Sequence, residues 1–214
     1  MNRITQYIDP VGKVYIGKDI VVRKISAGHA NQVKAIIHSG LTHKLVEKKL
    51  FPQTTLKQVK NVTLLIHRKI KYCSEPEEWS FEMLKDAALM MLEVDKIARS
   101  YGYTLKDFHS DNVCFEHARP IFFDFGSITK DENKCLFNTY YPEFLHRFFL
   151  PLYLWSKGDE YAAVSFMLDE TKERRFFGVK KLKCTAFNVR LIAFITRVLR
   201  FVKRRFKINL GQIR

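Results

Sequence analysis

Hydrophobic positions change their period several times along the chain, and each change marks an element. Gly12-Lys-Val-Tyr-Ile-Gly17 and Asp19-Ile-Val-Val-Arg-Lys-Ile25 are short β-branched runs with a Gly-Lys break between them, which predicts a hairpin. From Ala27 to Leu50 apolar residues recur at Val33, Ile36, Ile37, Leu41 and Leu45/Val46, near helical spacing, and Gly40 divides that stretch into two helices. Thr55 to Tyr72 returns to alternation through Val59, Val62, Leu64, Ile66 and Ile70, so further antiparallel strand is expected there. Cys73-Ser-Glu-Pro-Glu-Glu78 is a polar connector.

The clearest helix follows. Ser80 is an N-cap residue, Leu84, Ala87/Ala88, Met91/Leu92, Val94 and Ile97/Ala98 share one face, and Gly102 closes the run after Tyr101. Tyr103 to Asp107 reads as a short strand or loop, Asn112-Val-Cys-Phe115 as a strand, His117 to Pro120 as a turn and Ile121-Phe-Phe-Asp124 as another strand. From Leu136 to Arg205 the pattern is helical, with interruptions near Pro142, Pro151 and Gly158. The predicted fold class is therefore α+β, with a β-rich unit over 1–76, a helical unit over 77–170 and a basic helical tail over 171–214.

Composition sharpens this picture at three points. A chain of 214 residues with 47% hydrophobic and 28% charged residues is globular rather than disordered. No apolar run approaches the roughly 18 residues of a membrane-spanning helix, and the first ten residues lack the apolar centre of a secretory signal. The cysteines at 73, 114, 135 and 184 have no C-x-x-C or zinc spacing, so packed, reduced thiols in a cytoplasmic protein are expected.

The net charge of +15 is lopsided: from Thr171 onward there are fourteen Lys and Arg against Glu173 alone, while the first 170 residues are nearly neutral. Either that tail meets something anionic or it is a solvated face.

Two acidic motifs sit at the ends of the short strands. Asp107-Phe-His-Ser-Asp-Asn112 places an Asp and an Asn at D-x-x-x-x-N spacing, and Asp124-Phe-Gly126 directly follows an apolar strand. In phosphoryl transfer such a set divides the labour. The loop Asp (Asp107) orients the attacking hydroxyl. The Asn (Asn112) and the D-F-G Asp (Asp124) hold magnesium through oxygen, the ligand atom that ion prefers. Each motif alone recurs by chance; their order, spacing and strand contexts together are far more specific. The bland alternative is that Asp107 and Asp111 cap turns and Asp124 ends a strand.

Leu105-Lys-Asp-Phe-His-Ser-Asp-Asn-Val-Cys-Phe115 with Phe122-Phe-Asp-Phe-Gly-Ser127 resembles the bacterial protein-kinase-like phosphotransferase superfamily, in particular the aminoglycoside and choline phosphotransferase branch. Glu78-Trp-Ser-Phe81, Leu84-Lys-Asp-Ala-Ala-Leu89, Gly102 to Asp107, Ser39-Gly-Leu41 and Phe148-Phe-Leu-Pro-Leu152 resemble more closely the kinase-like segment that precedes the methyltransferase domain in some class I S-adenosylmethionine methyltransferases. The likeness spans about residues 13 to 165. It implies a small antiparallel N-terminal lobe, a hinge near Cys73 to Pro76, a mainly helical C-terminal lobe, and ATP with Mg2+ in the cleft. Methyl transfer is not carried over, because no G-x-G-type turn for that cofactor is present.

Departures from the family pattern bear on the nucleotide. Gly12 and Gly17 do not make a G-x-G-x-x-G loop. On the strand from Ile20 to Ile25, Arg23 and Lys24 compete for the phosphate-binding role, with a solvated strand charge as the alternative for either. The stretch from Ala27 to Ser39 has no acid to pair with that cation, and Glu47 is the nearest. Lys106 either stabilises the transferred phosphate or faces water; the resemblance gives His109 a loop-supporting role.

Read as a helix, 186–206 puts Arg190, Arg197, Arg200 and Arg204 opposite Leu191, Ile192, Ile195, Val198, Leu199, Val202 and Phe206, a face that either docks on the body or lies on an anionic membrane. No nucleic-acid motif is present, which ranks nucleic acid last among partners. The expectation is an Mg-ATP-dependent phosphotransferase acting on a hydroxyl of a small molecule or lipid-linked glycan, cytoplasmic or peripheral at the inner face of the membrane. The alternatives are a non-catalytic kinase-like module that binds a nucleotide or partner, and a basic nucleic-acid-binding protein.

Overall fold

The computed structural model describes residues 5–9, 11–132 and 141–168. Five antiparallel strands open the chain: β1 (Thr5–Asp9), β2 (Gly12–Ile16), β3 (Ile20–Ile25), β4 (Thr54–Val59) and β5 (Val62–Arg68), in spatial order β1-β2-β3-β5-β4. β2 and β3 form the hairpin predicted from their β-branched runs, and β4 and β5 supply the further antiparallel strand expected over Thr55 to Tyr72, which ends at Arg68. β1 has no counterpart in the sequence reading; it is defined by pairing Thr5 to Asp9 against Ile16 to Gly12.

Gly12 has a steric reason to be glycine: a Cβ there would lie 2.1 Å from the Lys24 carbonyl oxygen. The close approach of β2 and β3 here therefore depends on a bare backbone at this position.

Between β3 and β4 come helices α1 (Ala30–His38) and α2 (Leu41–Glu47). Gly40 separates them at φ 85°, a left-handed conformation that ends α1 as the sequence indicates. Val33, Ile36, Leu41 and Leu45 form their buried stripe.

The connector is pinned by its own polar groups. Glu75 and Glu78 cap the single turn at Pro76–Glu78, the Glu75 N–H donating to Glu78 Oε2 at 3.1 Å. Trp79 is buried, donates its indole N–H to Ser74 Oγ at 2.9 Å and meets Phe115 edge to face at 5.2 Å.

Helix α3 (Phe81–Ser100) is the central pillar. Ser80 Oγ accepts from the Met83 N–H, as an N-cap should, and Gly102 reverses the chain at φ 82°. Leu84, Ala87, Ala88, Met91, Val94 and Ala98 are fully buried, and together with Phe122, Phe144 and Phe148 they form the core of the second half. Burying a side chain of leucine or phenylalanine size contributes about 1.5–3 kcal/mol.

Two small ribbons then carry the motif residues: β6 (Tyr103–Leu105) with β9 (Ile128–Lys130), and β7 (Val113–Glu116) with β8 (Arg119–Phe122). His117 and Ala118, at φ 49° and 60°, form the tight turn of the second ribbon.

Residues 141–168 are helical: α4 (Tyr141–Phe144), one wide turn (Leu145–Phe149), α5 (Leu150–Ser156) and α6 (Glu160–Leu168). Pro151 does not interrupt this run. It has no N–H to give the Arg147 carbonyl, and the π-type turn immediately before it absorbs the mismatch. Gly158, at φ 85°, does break the helix, between α5 and α6.

The architecture is α+β, a small antiparallel N-terminal part followed by a mainly helical one, the arrangement that the kinase-like resemblance implies. Cys73 and Cys114 form a disulfide between the connector and β7, with Cα atoms 4.9 Å apart. This corrects the expectation of reduced thiols for that pair; Cys135 and Cys184 lie outside the described residues. The 41-residue separation concealed a contact that only tertiary folding creates. The tail over 171–214, with its amphipathic segment 186–206, also lies outside them. No helix among the described residues is long and apolar enough to cross a membrane.

Candidate functional site

The motif residues converge where β3 and β5 face the ends of β6, β7 and β8. Asp124 follows β8 and caps a turn of its own: its Oδ1 accepts from the Gly126 N–H at 2.9 Å and its Oδ2 from Ser127 Oγ at 2.6 Å. Gly126 and Ser127 are buried, so this turn is held rigidly. Asn112 reaches the same serine from the start of β7, its Nδ2 donating to Ser127 Oγ at 3.4 Å. The Phe123 N–H donates to the Asn112 carbonyl at 3.1 Å, tying the two segments together a second time.

Ser127 was not singled out in the sequence. It directly follows D-F-G, and its hydroxyl is the link between Asn112 and Asp124.

On β3 the two neighbouring cations are placed differently. Arg23 faces inward with Ile25 and is buried, whereas Lys24 is exposed on the opposite face. Arg23 Nη2 donates to Asp124 Oδ1 at 3.3 Å. Glu47 lies elsewhere: it pairs with Lys44 at 2.9 Å on the exposed side of α2. Among the described residues Arg23 thus pairs with the Asp124 carboxylate, and Glu47 pairs with Lys44 instead.

His67 on β5 is a further member that the sequence left unnoticed: the expected alternation runs through Val62, Leu64 and Ile66, whereas the buried face of the strand is Thr63, Leu65 and His67. It is buried between Phe51 and Phe125, with ring centroids at 6.0 and 6.4 Å. Burial, with help from the Arg23 charge, pushes its pKa down to about 4, so the ring is neutral at ordinary pH. Thr54 gives its hydroxyl proton to the Pro52 carbonyl at 2.8 Å. His67 Nδ1 must therefore donate to Thr54 Oγ1, also at 2.8 Å, which fixes the Nδ1–H tautomer.

Asp107 lies on the loop after β6. Its Oδ1 accepts from the His109 N–H at 3.0 Å. Lys106 enters the arrangement through its backbone, donating its N–H to the Ser127 carbonyl at 2.8 Å. His109 supports the loop, its Nδ1 lying 3.0 Å from Asp111 Oδ2. Burial lowers the affinity of His109 for a proton, but the hydrogen bond and charge of Asp111 outweigh it and the net shift is upward. The same hydrogen bond holds Asp111 below the usual carboxylate range.

Glu143 of α4 is the least anticipated member. Its Oε2 accepts from the Phe108 N–H at 2.8 Å, next to the His109 N–H from which Asp107 accepts. Burial, followed by the charge of Asp107, raises its pKa to about 7.

Behind the loop, Asp95 and Arg99 of α3 secure its approach. Asp95 accepts from Thr104 Oγ1 at 2.7 Å and from the Leu105 N–H at 3.0 Å, and Arg99 bridges Asp95 to Asp131 at 2.7 and 3.0 Å. Both ends of the β6–β9 ribbon are therefore fixed to α3.

The donor set suits a hard divalent cation. Asn112 spends its amide hydrogen on Ser127, which leaves the amide oxygen available as a ligand, and Asp124 supplies carboxylate oxygens. Magnesium is commonly bound by one or two such groups with water and phosphate completing its shell. Among the described residues there is no group of three or more His, Cys, Asp or Glu that would form an all-protein cage.

No family model matches the chain. Nodulation protein NoeA of Rhizobium meliloti (strain 1021) is 35% identical over 96 residues, which is 45% of this chain and 20% of that protein. The chain thus spans a fifth of the curated relative it matches. Among solved structures, vaccinia related kinase 3 superposes with a TM-score of 0.47 at 10% identity, covering 65% of this chain and 50% of that one. The Cydia pomonella granulovirus kinase PK-1 gives 0.47 at 11%, covering 64% and 57%. The PknI kinase domain of M. tuberculosis gives 0.42 at 11%, covering 59% and 58%. The chain spans about half the length of these kinases.

Proposed function

We propose that this chain is an Mg-ATP-dependent phosphotransferase acting on a hydroxyl of a small molecule or a lipid-linked glycan. The observation that carries the reading is the meeting of Asn112 and Asp124 on one serine, Ser127. Residues from two separate motifs are thereby held together with oxygen ligands available. Magnesium held there would neutralise charge on the phosphates of ATP.

In this reading Asp107 orients the acceptor hydroxyl, and Arg23 is the β3 cation that meets phosphate. Lys106, the neighbour of Asp107 in sequence, would stabilise the transferred group. Lys24, exposed on the far face of β3, has no part in nucleotide binding. The basic segment 186–206 would bring the protein to the anionic inner face of the membrane, where a lipid-linked acceptor resides. That element of the proposal rests on charge and amphipathic pattern alone.

A second reading is favoured by one observation. Arg23 already occupies an oxygen of Asp124, and α1 carries no acid to draw it away. A non-catalytic kinase-like module would keep that pair closed and serve as a scaffold.

Thermal unfolding with and without Mg-ATP separates the two. A ligand at 100 times its Kd adds about 2.7 kcal/mol. An upward shift that requires magnesium and is lost in Asp124→Asn supports the enzyme. No shift at millimolar Mg-ATP rejects it for this chain.

A further inference from the structure

Two carboxyl groups stand side by side over the loop between β6 and β7, and successive backbone amides hold them there. The Phe108 N–H donates to Glu143 Oε2 at 2.8 Å, and the next amide, His109 N–H, donates to Asp107 Oδ1 at 3.0 Å. The two side chains come from elements far apart in sequence, α4 and the loop, and each spends one oxygen on its amide. Adjacent amides thus hold the two carboxyls at one loop, where the charge of Asp107 acts on Glu143.

Two carboxylates so placed and partly removed from water do not both ionise without cost; a proton between them turns repulsion into a hydrogen bond. We propose that Glu143 is the positioning residue for Asp107, holding the single proton of a carboxyl pair and so fixing the rotamer of the group that faces the acceptor hydroxyl. The catalytic meaning of the pair rests on the phosphotransferase reading; the pair itself does not.

The surrounding charges agree with a proton on Glu143. Burial raises its pKa, the charge of Asp107 adds to this, and the Phe108 amide and His109 oppose it, leaving a value of about 7. His109 and Asp111 face the pair from the loop, and Arg147 of the turn Leu145–Phe149 acts on both of them. Within α4 itself Glu143 is the charged residue.

The same pair gives Asp107 a dependence on pH that a lone aspartate would lack. While the proton is present the two carboxyls hold each other in place. Once it leaves, two like charges share one pair of adjacent amides, and Asp107 loses its orienting partner.

The test follows the Glu143 carboxyl carbon by 13C NMR over pH 4 to 9, in wild type, Glu143→Gln and Asp107→Asn; the glutamine variant assigns the signal. The proposal expects a Glu143 midpoint near neutrality in wild type, and a fall of about one pH unit or more when the neighbouring charge is removed. Asp107→Ser replaces Asp107→Asn should the latter not fold, which the amide spectrum reports. A wild-type midpoint in the ordinary glutamate range overturns the pair. So does a raised midpoint that neither Asp107 variant moves, since burial alone would then account for it. Thermal unfolding of wild type with Mg-ATP runs in parallel: no response there rejects the phosphotransferase reading and leaves the carboxyl titration to decide the pair.

Discussion

Arg23 and Asp124 are 101 residues apart in sequence, yet Arg23 Nη2 and Asp124 Oδ1 lie 3.3 Å apart between the sheet and the helical part. The arginine is almost fully buried, with its side chain 8% exposed, and Asp124 is 21% exposed. A cation arriving at Asp124 must share the carboxylate with the guanidinium or displace it.

Replacing Arg23 by Met therefore leaves a largely buried carboxylate without this partner. Removing one member of such a pair costs about 3 kcal/mol or more. The expected outcome in urea unfolding is a loss of that order without magnesium. Because the cation can take the place of the guanidinium, magnesium should stabilise Arg23→Met more than wild type. Equal response of both proteins to magnesium would show that Asp124 is not its ligand.

Ser127→Ala removes the hydroxyl that joins Asn112 to Asp124. Ser127 is fully buried, so the stranded polar groups cost about 1–3 kcal/mol. Magnesium affinity, read by calorimetry, should fall with it, since Asn112 and Asp124 are no longer held in common. Unchanged affinity would assign the serine to the turn alone.

The pH dependence of stability has two limbs of opposite sign. Glu143 has its pKa raised from an ordinary 4.5 to about 7, so its contribution is complete below about pH 4.5 and is lost as pH rises through neutrality. His67 has its pKa lowered from 6.5 to about 4, so its contribution is complete above about pH 6.5 and is lost as pH falls toward 4. Urea midpoints measured from pH 4 to 9 should flatten on the alkaline side in Glu143→Gln and on the acid side in His67→Gln. The opposite assignment of limbs would contradict both shifts.

The disulfide between Cys73 and Cys114 closes a loop of 41 residues in sequence separation. In the chain-entropy picture a loop of that length contributes about 4 kcal/mol. Cys73→Ser should lower the unfolding midpoint accordingly, and reductant should lower that of wild type but not of the variant. Insensitivity of wild type to reductant would show the pair unbonded in solution.

Elements whose signal is local were legible in the sequence. Helix α3 announced itself through Ser80, a 3.6-residue stripe and Gly102, and Gly40 divided α1 from α2 as its left-handed conformation requires. Asp107, Asn112 and Asp124 were legible because their spacing and strand contexts are short-range patterns. What the sequence withheld depends on folding at a distance. No periodicity distinguishes Glu143, whose partner amide at Phe108 is 35 residues away, and none chooses Arg23 over Lys24 without the inward face of β3. His67 was hidden for another reason: a lone histidine on an apolar strand is ordinarily a packed core residue, and only Phe51, Phe125 and Arg23 around it show where it stands.

Strand β7 is moored twice on its way out of the site. Cys114 ties it to the connector, and Glu116, two residues on and so on the same side of the strand, grips Arg68 of β5 through two hydrogen bonds of 2.6 and 2.7 Å. The sheet cannot swing away from the helical part along this edge without pulling on the strand that begins directly after Asn112. Opening and the position of Asn112 are mechanically geared together, and the gear has two releases that answer to different solutes. Ionic strength loosens the exposed Arg68–Glu116 fork, reductant cuts the other mooring, and the amides of Asn112 and Val113 should exchange with solvent fastest only when both are let go.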